Sequence, residues 1–131
     1  MSTTAQSPDA SSPKAGPDLY HWDRIEKEVM NPKFARKVIH TENMTIARLE
    51  LAKGCEVPEH SHVNEQVSIC EKGLMRFVVS GQEHMVGSGE MIRIPPHALH
   101  SVQVLEDTEG VDLFTPRRED WIRGDDAYLR K

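Results

Sequence analysis

The chain is poor in aromatic residues: three Phe, two Tyr and two Trp in 131 positions. Its core must therefore be built from aliphatic side chains and from some of its six methionines. Cysteine is scarce as well. Cys55 and Cys70 form no CxxC pair, and two cysteines do not make a disulfide framework, so the fold is not a cysteine-stapled scaffold. No apolar run approaches the ~20 residues of a membrane-spanning helix. The amino-terminal stretch lacks the apolar centre of a secretory signal. Basic excess is missing too: 16 Lys and Arg stand against 21 Asp and Glu, a net charge of −5. The cations are scattered among acids, so there is no basic stripe for a nucleic-acid backbone. These absences lead us to expect a cytoplasmic protein with reduced thiols, binding neither nucleic acid nor membrane.

What is present fits one small β domain. A chain of 131 residues can bury a single core. Residues 1–18 are rich in Ser, Ala and Pro and cannot bury enough surface to offset their ordering entropy, so a disordered tail is expected there. That leaves 19–131 as the domain. Residues 20–32 (YHWDRIEKEVMNP) read as a short helical or irregular lead-in stopped by Asn31-Pro32. From Ala35 onward, short apolar segments alternate with turn signals: RKVIH, MTIARLELA, EQVSIC, LMRFVV, EHMV, EMIRI, HSVQVL and VDLFT. This is the pattern of an antiparallel sandwich or barrel. The last stretch, PRREDWIRGDDAYLRK, is charged but contains Trp121, Ile122, Tyr128 and Leu129. It reads as an arm over 117–131 that either covers its own barrel or embraces a second subunit.

Chemistry concentrates in Gly54–Gly73 (GCEVPEHSHVNEQVSICEKG) and Gly89–His100 (GEMIRIPPHALH). Side chains in a strand repeat every second residue, so His60, His62, Asn64 and Gln66 share a face and Glu65 points the other way. His60, His62, Gln66 and, from the distant segment, His100 are the expected metal ligands. Glu65 replaces Gln66 if the intervening loop shifts the register by one. Three neutral imidazoles and an amide cancel none of the charge of a divalent ion, which keeps it strongly Lewis acidic. Zn, Ni, Mn and Fe all accept such ligands. His97, in a Pro-Pro turn, is expected to be solvated.

These two segments resemble the paired signature motifs of the cupin superfamily. Gly54, His60, His62 and Gly73 match the first at its spacing, with Gln66 where the family carries an acid. Gly89, Pro95 and His100 match the second, with His97 in place of glycine and Val104 in place of asparagine. The resemblance implies an all-β, cupin-type antiparallel barrel or double-sheet jelly roll with short helical or irregular ends. It also implies a homodimer.

A third segment, VDLFTPRREDW, sets Asp112 and Phe114 on the face shared with His100, and a lone Asp in an apolar strand is costly to bury unless paired or used. The segment resembles one cupin group whose members open the ring of 4,5-unsaturated monouronates from pectin and alginate. By that resemblance Asp112 is the general acid/base, Arg118 holds the substrate carboxylate and Phe114 walls the pocket. A structural ion pair between Asp112 and Arg118 is the alternative. Arg48 and Arg76, both in mid-strand, are further candidates for the carboxylate contact. The function expected is therefore metal-dependent, non-redox conversion of a small carboxylated sugar derivative. A dioxygenase and a non-catalytic binding module remain open beside it.

Overall fold

The computed structural model describes residues 16–131. The expected tail thus lies, up to residue 15, outside the described residues. Eight strands follow one another as β1 (Glu28–Asn31), β2 (Phe34–His40), β3 (Thr45–Leu51), β4 (Glu56–His60), β5 (Glu65–Val79), β6 (Gln82–Gly87), β7 (Met91–Ile94) and β8 (His100–Thr115). All pairings are antiparallel. The architecture is the all-β cupin barrel expected. The lead-in differs from expectation: only Trp22–Arg24 form a helical turn, and Glu28–Asn31 pair with β2 as a strand.

Two long strands organise the barrel. β5 and β8 pair along nearly their whole length, and each serves both halves of the molecule. The first half of β5 pairs with β7 and its second half with β6. β8 pairs with β4 at its start and with β3 towards its end. The sequence reads these as four separate strands because turn signals interrupt them. In the structure the interruptions are bulges: the β5–β8 register shifts between Cys70 and Met75. Gly73 sits there at φ +113°, where an added Cβ would lie 2.3 Å from Thr108 Oγ1, so only glycine fits. The bulges bend the two strands and let one ribbon line a closed interior.

Alternation then sorts the faces. Ala47, Leu49 and Leu51 of β3, Cys70, Met75 and Phe77 of β5, and Val102, Val104 and Phe114 of β8 fill the core. Both cysteines are buried free thiols. The arm covers this chain's own barrel: Trp121, in the short helix α1 (Glu119–Ile122), and Leu129 are buried in the same core. It is tied down by Arg36, whose Nη2 donates to Asp126 at 2.5 Å, and by Asn31 Nδ2, which donates to the Leu129 carbonyl at 3.2 Å.

Candidate metal centre

The three expected histidines converge. His60, at the end of β4, is the register partner of His100, at the start of β8. His62 follows in the loop between β4 and β5. Ring centroids of the three lie 4.2 to 5.7 Å apart, and one ring nitrogen from each falls within 4.8 Å of the others. His60, His62 and His100 could thus hold a metal ion.

Their tautomers are set by main chain. Nδ1 of His60, His62 and His100 lies 2.8, 3.1 and 2.9 Å from the carbonyl oxygens of Pro58, Asn64 and Ala98. A carbonyl only accepts, so each Nδ1 carries the hydrogen and each Nε2 keeps its lone pair. Burial lowers the pKa of all three, to about 4 for His60 and His62, with the Arg118 charge adding to it. The rings are neutral near pH 7.

Gln66 completes a set of lone pairs. Its amide nitrogen donates to Ser68 Oγ at 2.9 Å and lies 3.4 Å from Asp112 Oδ2. That turns Oε1 towards His62 Nε2, 3.0 Å away. Two acceptors therefore face each other with no hydrogen between them. Among the described residues, His100 Nε2 is buried without a hydrogen-bond partner. Converging lone pairs of this kind repel unless a cation lies among them, and a divalent ion with nitrogen and amide-oxygen ligands fits. Glu65 is not part of the set. It sits on the other face, as alternation requires, bonded to Arg93. Asn64 shares the histidines' parity, but its side chain donates to the Pro116 and Arg117 carbonyls and staples the loop to the arm.

Asp112 lies on β8 opposite two small residues, Ala47 of β3 and Ser68 of β5, which leave it room. Burial pushes its carboxyl up to about 6, while Ser68 and Arg118 pull it back. Arg118 is almost fully buried, at 1% exposure. Its partner is not Asp112. Nε and Nη2 grip Asp120 at 2.9 and 2.7 Å, and Nη2 also donates to the Tyr128 hydroxyl at 2.8 Å. The guanidinium lies over the rings of Phe114 and Trp121. Asp112, Phe114, Arg118, Trp121 and Tyr128, with His60, Gln66 and His100, line a cavity of about 60 Å³ whose remaining wall is apolar.

Two expectations need correction. Arg48 and Arg76 do not line the cavity. Arg48 alternates with buried Ala47 and Leu49, so it faces outward, where it pairs with Glu71 at 2.9 Å and with Glu109. Arg76 alternates with buried Met75 and Phe77 and bonds Glu83 and Gln103. The buried run on either side of each arginine is the signal that places it outside. His97 is exposed, as expected, but at φ +66° it occupies the left-handed region at the position where the motif carries glycine. Its N–H donates to the His62 carbonyl at 2.8 Å, so the turn supports the ligand loop. The residue the sequence reading missed as part of the site is Tyr128, which it took only as an apolar anchor.

Known proteins share this fold. The chain is similar to the pectin degradation protein KdgF of Dickeya dadantii (strain 3937), at 23% identity over 103 residues, covering 76% of this chain and 94% of that one. Among solved structures, KdgF from Halomonas sp. superposes with a TM-score of 0.75 at 23% identity, covering 81% of this chain and 99% of that one. An RmlC-like cupin from Shewanella frigidimarina NCIMB 400 gives the same TM-score and identity, covering 81% and 96%. Residues 47–115 match the Cupin domain family. With that match, the barrel and the converging histidines, the chain belongs to the cupin family.

Proposed function

We propose that the protein is a metal-dependent enzyme that converts a small carboxylated sugar derivative without redox chemistry, with 4,5-unsaturated monouronates as the substrate class. The observation behind this reading is Asp112: a carboxyl that can carry a proton, within reach of the Gln66 amide and sharing a cavity with His60 and His100. The likeness to a pectin degradation protein supports the substrate class.

A divalent ion held by His60, His62, Gln66 and His100 would supply Lewis acidity toward a hydroxyl, carbonyl or carboxylate oxygen. Opening and ketonising an unsaturated uronate is an isomerisation. A proton leaves the anomeric hydroxyl, the bond between C1 and the ring oxygen breaks, and a proton arrives at C4, so no electron is gained or lost. Asp112 would move that proton, a task suited to a carboxyl titrating near neutrality. Phe114, edge-on to His62 at 5.7 Å, would wall the sugar ring. Arg118 has Nε and Nη2 engaged, so its remaining nitrogen, Nη1, would meet the substrate carboxylate.

The apolar wall of the cavity favours a second reading, oxygen-dependent cleavage of a mostly apolar chelating molecule. One assay separates the two: metal-loaded protein on 4,5-unsaturated galacturonate, following the loss of ultraviolet absorbance under air and under argon. Equal rates in both are expected. Asp112→Asn should keep its metal and lose about 10²–10⁴-fold in rate, the usual scale for a positioned acid/base. No absorbance loss in either atmosphere would remove the uronate reading.

A further inference from the structure

We propose that the Tyr128 hydroxyl donates a hydrogen bond to a substrate oxygen bound beside His60, which makes the carboxy-terminal arm part of the binding site. The inference rests on the metal-dependent reading above, though not on the uronate as substrate. Its ligand class is a small molecule that chelates the metal through carboxylate, enolate or hydroxy-keto oxygens.

Tyr128 sits in the last helical turn, Ala127–Leu129, beyond the 47–115 segment that matches the family. The arm folds back so that the Tyr128 ring lies 4.7 Å from the His60 ring, tilted by 41°. Both residues line the cavity that also holds Gln66, His100 and Asp112. The phenol is therefore in ring contact with one corner of the histidine triad.

Direction follows from donor chemistry. Arg118 Nη2 lies 2.8 Å from the Tyr128 oxygen. A guanidinium has five donors, no acceptor, and does not lose its proton in a protein. The bond can run only one way: the phenol oxygen accepts and its own hydrogen is left over. Among the described residues no protein acceptor takes that hydrogen. The cavity wall around the half-buried ring is largely apolar, so the hydrogen is left for water or for an oxygen that a ligand brings in its place. An N–H donated into the phenol oxygen also polarises the O–H and strengthens its onward bond.

The ring is also held in place before any ligand arrives. Leu129, the next residue, is buried, and Asn31 Nδ2 donates to its carbonyl at 3.2 Å. Asp126, two residues earlier, is buried and gripped by Arg36 and Arg130. A donor fixed on both sides costs little further ordering when it binds. Nothing in the 47–115 segment supplies an equivalent hydroxyl against His60, so the arm would set which oxygen of a ligand is recognised.

The test is Tyr128→Phe, which removes one oxygen and keeps the ring. The zinc-loaded proteins are titrated with oxalate, a compact chelating dianion, by calorimetry. Metal content is measured before and after. Expected are unchanged metal content and oxalate affinity about tenfold weaker in the variant, the scale of one lost hydrogen bond to a charged group. Turnover of 4,5-unsaturated galacturonate should fall at least as far. If wild type leaves that uronate untouched while the oxalate difference holds, the substrate reading fails and the role of Tyr128 stands. Equal oxalate affinity in the two proteins, or no oxalate binding by loaded wild type, overturns the proposal.

Discussion

Each imidazole of the triad hands one nitrogen to a main-chain carbonyl and keeps the other for a ligand, and that arrangement makes each histidine separately testable. His100 is the most buried of the three, and its Nε2 has no partner among the described residues. Its removal should abolish tight metal binding. His100→Ala is expected to fold and to retain almost no metal after dialysis; full occupancy by elemental analysis would show that the ligands lie elsewhere. These positions were legible because strand alternation is a strict period of two: it put Gln66 with the histidines and sent Glu65 to the outer face. The same rule, applied to the buried neighbours of Arg48 and Arg76, would have excluded both. The partner of Arg118 was not legible, because a guanidinium chooses among nearby carboxylates by tertiary geometry. Asp120 lies two residues along the chain and takes its fork, leaving Asp112 to the cavity.

At the scale of elements, the arm and the long strands mark where sequence reading stopped. The arm's course depends on Arg36 meeting Asp126, 90 residues apart, and no local pattern encodes that contact. Burial alone would raise the Asp126 carboxyl, but the bonds from Arg36 and Arg130 hold it below the ordinary range. A carboxylate depressed in the folded state stabilises the fold above its unfolded pKa near 4, and that contribution is lost as pH falls through the lower folded value. Asp126→Asn removes the buried one of the two carboxylates on Arg36 and leaves half-buried Glu28 at its Nε. It should therefore cost up to about 3 kcal/mol at pH 7, the low end of the penalty for breaking a buried pair. The gap to wild type should close as pH falls below about 4, through the lower folded value. Urea unfolding at several pH values checks both parts, and a pH-independent difference would mean that the pair does not set the arm's stability. The strands β5 and β8 were read as four because glycine ordinarily ends a strand; here Gly73 bends one instead.

For the whole molecule, the class of fold was readable because two spaced motifs fell within a regular succession of strands. Assembly was not, since partner surfaces leave no period in a sequence. The homodimer implied by family resemblance predicts sedimentation at twice the 14.8 kDa of one chain. A particle of single-chain mass at micromolar concentration would discard that expectation. The three main-chain carbonyls behind the histidines have a consequence for descent. Backbone oxygens, not side chains, face the three Nδ1 atoms, so substitutions around the triad leave those acceptors in place. The three imidazoles are thereby oriented by backbone, while Gln66 and the arm enter the site through side chains alone. New chemistry on this barrel would then arise through those two places first, with the triad inherited unchanged.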